Sequence, residues 1–359
     1  MKRVLAFLMA ALLLALTACG REEEPPPAEE PPPVEEPEPL PEPEPEPEPY
    51  VPAGTNPLTG LPIEPEEMNR RPVAVMLNNI KKAQPQIGIS QADVIYEVPA
   101  EGGITRMLAV YQSLEGVEIL GSIRSTRPYY IELALGHDAL LVHAGGSQEA
   151  YTDLRKWKVD NMDGVRGAED AKIFWRDPDR RRNNGYEHSL VTSGEKIQAY
   201  LEQSGFALEH PKTYHYLQAF AEDGTPAGGE PAEQVLVRFS NYKTGTFDYD
   251  PVSKTYLASQ YGGAHMDGGT GEQVRTVNLL VLETKMAVLD AEGRLRVKTT
   301  GDGTGTYFCG GRAVPITWSR NDREAPFSYK LEDGRPLVLG QGNSYVCLFS
   351  PQTGSLSYS

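Results

Sequence analysis

The sequence is short of cysteine, of basic surplus and of the motifs that mark nucleophilic or metal catalysis, and each shortage removes a class of function. Its 359 residues hold three cysteines, Cys19, Cys309 and Cys347. None falls between the proline-rich amino-terminal stretch and Asp223, so the first folded region has no thiol nucleophile of the L,D-transpeptidase kind. Cys309 and Cys347 have no metal-ligand spacing and no histidine close by. In an exported protein they pair or stay two buried free thiols, and both readings stand at this point. There is no Gly-x-Ser-x-Gly elbow. His137, His143 and His188 lack the helical spacing of a zinc site, so neither a metal nor a cofactor is expected. Long Lys/Arg runs are missing and the net charge is −16. That balance argues against nucleic acid as a partner and against an electrostatic hold on anionic lipid head groups.

The charge is unevenly placed. Residues 1–49 carry twelve glutamates against Lys2, Arg3 and Arg21, which accounts for −9 and leaves −7 for the rest. Lys2 and Arg3 precede the apolar run from Val4 to Leu16, which has signal-peptide length and is short for a membrane span. Leu16-Thr17-Ala18-Cys19 follows at once and resembles a bacterial lipobox, with Cys19 as the lipid-bearing residue. The resemblance implies two or more acyl chains, which is what stable anchoring needs. From Gly20 to Pro52 the chain is mostly Pro, Glu and Ala. Such a composition buries no core, and some thirty residues at about 3.1 Å each reach on the order of 100 Å.

Length allows two domains. The chain reads as a signal peptide over 1–18, a tether over 19–55, a mixed α/β domain over 56–222 and a β-rich domain over 232–352. The fold class is α+β, the second domain being a mostly antiparallel sheet or small barrel. In the first domain, strands are expected over Arg71–Leu77, Asp93–Val98 and Ile104–Tyr111, the last two as a hairpin that gathers Glu97, Glu101 and Arg106.

The densest chemistry lies in Gly121–Ser147. Arg124 and Arg127 precede Pro128, and Tyr129 to Leu135 is helical in pattern, with Ser125 or Thr126 as its cap. Two guanidinium forks at a helix start suit a carboxylate or phosphate; the alternative is that both pair with Asp93, Glu97 or Glu101 inside the fold. His143-Ala144-Gly145-Gly146-Ser147 is a strand-to-helix turn, and Ser147 is read as an N-cap, not a nucleophile. Arg180-Arg181-Arg182 reads as a solvated loop or an electropositive rim, and His188 follows it. Thr192-Ser193-Gly194-Glu195 has capping-box spacing for a helix that runs to about Gln203 and stops at Gly205.

In the second domain, Val274–Glu283 reads as one long strand. Gly301-Asp302-Gly303-Thr304-Gly305-Thr306 reads as a turn, since it lacks the lysine and helix of a phosphate loop. His265-Met266-Asp267 reads as a loop.

Asn56-Pro57-Leu58-Thr59-Gly60, Arg71-Pro72-Val73-Ala74-Val75, Gln91-Ala92-Asp93, Glu101-Gly102-Gly103-Ile104-Thr105-Arg106, Arg124-Ser125 with Arg127-Pro128, and His143-Ala144-Gly145-Gly146-Ser147 resemble the YerB-like lipoproteins. Gly301-Asp302-Gly303, Ile316-Thr317-Trp318 and Tyr345-Val346 resemble that family's second domain. Glu187-His188-Ser189-Leu190 departs from the family's Pro-His-Asn-Leu. The resemblance implies an envelope lipoprotein of two domains of unknown function, lipid-anchored on the outer face of the bacterial cell membrane, and supplies no reaction. The expected role is a binding or adaptor module. Its candidate ligand cleft comprises Glu97, Glu101, Arg106, Arg124, Ser125, Arg127, His143 and His188, and its partners are wall fragments or a membrane-bound wall-synthesis protein. The alternative is a hydrolase or other enzyme that attacks cell-wall material through acid–base residues in the same cleft.

Overall fold

An eleven-stranded sheet runs through both halves of the chain. Its order is 230–231, 312–320, 301–309, 278–283, 344–349, 94–99, 105–111, 73–79, 140–143 and 161–163, with 328–331 beside 312–320. The structure is a computed structural model and describes residues 53–359. The expected signal peptide, Cys19 and the expected tether as far as Pro52 lie outside the described residues. The described residues form one compact unit. The join between the halves is parallel: Ser344 pairs with Val94 and Cys347 with Glu97. A second, six-stranded antiparallel sheet of 355–358, 234–238, 244–250, 255–260, 263–264 and 275–276 packs on one face of this join. There Val235, Val237, Phe247 and Tyr256 meet Val281, Phe308, Tyr345 and Phe349 in one core. The fold is α+β.

Alternation along the central strands assigns the faces. Val73, Val75 and Leu77 point to the core that holds Ile197 and Leu201; Ala74 and Met76 point to the core that holds Tyr130, Ile131 and Leu154. Helix α1, Pro128–Leu135, buries Tyr129, Tyr130, Ile131, Leu133 and Ala134. Helix α2 is Gln148–Lys156, and Ser147 caps it by accepting from the Ala150 amide. Helix α3 is Pro178–Asn183 and helix α4 is Gly194–Ser204.

Several local expectations change. Neither Ser125 nor Thr126 caps α1: Arg127 is its N-cap residue, without a side-chain cap bond. The Ser125 hydroxyl donates instead to the Ala144 carbonyl at 3.0 Å. The arginine run is helical, because Asp177 caps it through the Arg180 amide and Pro178 fits its first turn. At α4 the cap is Ser193, accepting from Lys196, while Thr192 donates to the Ile173 carbonyl. Val274–Glu283 is not one strand. Arg275–Thr276 belongs to the second sheet and Asn278–Glu283 to the first, so the chain changes sheets at Val277. The glycine-rich stretch from Gly301 is a strand, Gly301–Cys309, not a turn. A Cβ on Gly303 would lie 2.5 Å from Trp318 Nε1, so the missing side chain is the space the indole occupies. Cys309 and Cys347 are both free and buried. They face opposite cores, on strands separated by 278–283, so they do not pair.

Candidate functional site

Strands 73–79, 140–143 and 161–163 run parallel. Strand 94–99 shares their direction, because 105–111 is antiparallel to both it and 73–79. Their carboxyl ends lie along one edge, the usual place for ligands in sheets of this kind. The segment 121–127 crosses these ends. The Arg124 amide donates to the Met76 carbonyl at 2.9 Å, the Ala144 amide to the Arg124 carbonyl at 3.0 Å, and the Thr126 amide to the Gly145 carbonyl at 3.0 Å. Sequence-distant candidates are therefore neighbours by backbone pairing.

Glu101 is held between two arginines, paired with Arg127 Nε and, at 3.3 Å, with Arg106 Nη2. Burial works to raise its carboxyl, but Arg106 and Arg127 outweigh burial and hold it below the usual carboxylate range. Arg106 is buried and donates to the Ser125 carbonyl at 2.9 Å. Burial, then repulsion from Arg127, pulls its guanidinium below the ordinary value against the pull of Glu101. Arg124 is partly exposed and pairs with Glu187 at 3.5 Å. The Nε atoms of Arg106 and Arg124 are buried and have no hydrogen-bond partner among the described residues.

His188 sits below Arg124, its Nδ1 2.9 Å from Asn78 Nδ2. Burial and then the Arg124 charge press its pKa below the ordinary histidine value. His143 is fully buried, with Nδ1 2.9 Å from the Gly145 carbonyl and Nε2 3.0 Å from Asn161 Oδ1. Both ring nitrogens are occupied, so His143 orders the turn. The Ser147 hydroxyl is committed to its cap.

Glu97 is not at the surface. Its Oε1 lies 2.8 Å from Lys243 Nζ and accepts from Asn79 and Thr105, and its Oε2 accepts from the Tyr345 hydroxyl at 2.5 Å. Glu97 and Glu101 thus do not face one another across an opening. Among the described residues no group of three or more His, Cys, Asp or Glu could hold a metal ion.

Residues 58–207 match the family described as Protein of unknown function (DUF3048) N-terminal domain, and residues 235–346 match its C-terminal domain. The chain is 33% identical over 293 residues to "Putative lipoprotein YerB" of Bacillus subtilis (strain 168), covering 81% of this chain and 84% of that one. The chain belongs to the YerB-like family. The crystal structure of YerB protein from Bacillus subtilis superposes with a TM-score of 0.71 at 29% identity, covering 84% of this chain and 99% of that one.

In this YerB-like protein the departure at Glu187-His188-Ser189 has a local account. Glu187 supplies the carboxylate beside Arg124. Ser189 donates back to the Tyr186 carbonyl at 2.9 Å. Arg180 is no rim residue: it is buried and donates to the carbonyls of Ala83, Pro85 and His188. Lys243 and Tyr261 escape sequence reasoning, which reads Asp267 only as part of a loop. Lys243 neutralises Glu97 from the second half. Asp267 accepts from the amides of Gly88 and Ser90 and from the Ser90 hydroxyl, fastening the His265–Asp267 loop to the first half. Tyr261 donates to the Asn79 carbonyl at 2.5 Å. A positive φ at a tyrosine and an isolated lysine in a polar turn leave no pattern that sequence alone separates from ordinary loops.

Proposed function

We propose that this protein is an exported lipoprotein, lipid-anchored through Cys19 to the outer face of the bacterial cell membrane. It works there as a binding or adaptor module. The sheet's carboxyl edge is its contact face for an anionic partner, such as a wall fragment or an acidic segment of a membrane-bound wall-synthesis protein. The supporting observation is the arginine cluster. Among the described residues, Arg106, Arg124 and Arg127 form ion pairs with Glu101 and Glu187 alone, and two of the three guanidinium groups keep a buried Nε without a partner. One positive charge is left over for a ligand, with the partly exposed Arg124 to present it, and charge-assisted bonds from arginine to carboxylate or phosphate are the strong kind. The tether, with its glutamate–proline repeat, holds the body off the bilayer.

The test is equilibrium binding of a soluble anionic muropeptide to the full chain. Arg124→Ala is expected to weaken binding about tenfold or more, the value of one hydrogen bond to a charged group, and added salt is expected to weaken the wild type in the same direction. Equal binding by wild type and Arg124→Ala removes the anion role.

A further inference from the structure

The connection between strands Thr255–Gln260 and Gly263–Ala264 is two residues, Tyr261 and Gly262. Their φ values are 55° and 84°. Two successive left-handed residues make a type I′ hairpin turn, where Asn-Gly is the common pair. A bulky side chain at the first position is unfavourable there. Tyr261 is kept in place by its hydroxyl bond to the Asn79 carbonyl and by Lys243 Nζ, 5.6 Å from its ring centroid. The outcome is an aromatic corner. The Tyr242 and Tyr261 rings meet at 62° with centroids 5.9 Å apart, and Tyr242 is 50% exposed.

This corner bounds a groove of about 460 Å³ lined by Tyr242, Thr244, Thr246, Ser259, Gln260 and the Tyr261–Ala264 turn. No lining side chain is charged, in a cleft bordered by aromatic rings and hydroxyls. The turn side is open: a Cβ on Gly262 or Gly263 would meet nothing within 4 Å. Thr246 pairs with Ser259, and with Thr244 they share the open face of the sheet, so their hydroxyls are the groove's polar groups; Gln260 pairs with Gly245 and faces the buried side with Phe247 and Ala258.

We infer that the groove is a saccharide-binding subsite that takes a neutral sugar chain. The tyrosine rings offer apolar area to the C–H faces of pyranose rings, and Thr244, Thr246 and Ser259 offer hydroxyls to the sugar hydroxyls. The neutral lining leaves a charged ligand without a counter-ion, which separates this subsite in chemistry from the arginine cluster. The two lie on one edge of the molecule. Asn79, bonded to Tyr261, neighbours Asn78 beneath His188, and Ser240 donates to the Gly103 carbonyl at 2.6 Å, two residues beyond Glu101. The inference stands on the groove and holds whether or not the arginines bind an anion.

The experiment is isothermal titration of the full chain with an uncharged probe, the β-1,4-linked tetramer of N-acetylglucosamine. Wild type is expected to bind it. Tyr242→Ala, a change at an exposed ring that leaves the core untouched, is expected to weaken binding roughly tenfold, equivalent to about 1.4 kcal/mol. Thr246→Val, which keeps the shape and removes one hydroxyl, is expected to weaken it several-fold. Arg124→Ala is expected to bind the tetramer as wild type does. No binding by wild type, or Tyr242→Ala and Thr246→Val both binding as wild type, overturns the inference. So does loss of binding in Arg124→Ala with Tyr242→Ala unaffected. Failure of the anion reading shows up separately, in the charged muropeptide and Arg124→Ala.

Discussion

Glu97→Ala is expected to lower the unfolding free energy by about 3–5 kcal/mol, the usual cost of leaving one partner of a buried ion pair without the other. Glu97 and Lys243 are both 1% exposed at the side chain and 2.8 Å apart. Removing the carboxylate strands the ammonium in the core and strips an acceptor from Asn79, Thr105 and Tyr345 together. The pair joins the two family domains, because Glu97 lies on the strand that receives Ser344–Phe349 and Lys243 leads into the second sheet. Lys243→Met is expected to cost a similar amount, and the double change Glu97→Leu with Lys243→Met less than either alone, since an apolar pair needs no counter-ion. Urea unfolding of the three variants checks this. Single variants within about 1 kcal/mol of wild type would mean the pair is solvated.

The second large effect depends on pH. His265 is buried with Nε2 2.7 Å from Gln86 Oε1. Burial, and after it the Lys243 charge, push its pKa down to about 3. In the unfolded chain an ordinary histidine near 6.5 takes up a proton that the native state refuses. Stability is therefore complete above pH 6.5 and is lost as the pH falls toward the folded value, with roughly 2 kcal/mol gone by pH 5 from this residue. His265→Gln keeps a polar group beside Gln86 and removes the titration. Its stability is expected to fall less steeply between pH 7 and pH 5 than that of wild type. Equal slopes would show that His265 does not refuse the proton.

The Glu97–Lys243 pair shows what the sequence could and could not reveal. Strands such as Val73–Asn79 and Thr105–Tyr111 announce themselves by apolar runs and β-branched residues, and helices α2 and α4 by cap and stripe, because those signals are local. The parallel pairing of Ser344–Phe349 with Val94–Pro99 has no local signal: it joins segments some 250 residues apart by backbone bonds common to all side chains. Lys243 as the partner of Glu97 is hidden for the same reason. The arginines were legible as a cluster. Their pairing was legible in part: Glu101 is among the expected partners and does pair with Arg127, whereas Glu187 reaches Arg124 only through the fold. Asp177-Pro178 did carry a local signal for α3, an acidic cap followed by a first-turn proline, and the arginine run after it masked that signal.

Hydrogen–deuterium exchange of the full chain, with and without a saturating soluble anionic muropeptide, tests the contact face most directly. Slower exchange over residues 122–127 and 143–146, where the backbone crosses the strand ends, is the predicted result. Unchanged exchange over both segments with ligand bound would contradict it and would place the binding face elsewhere on the molecule.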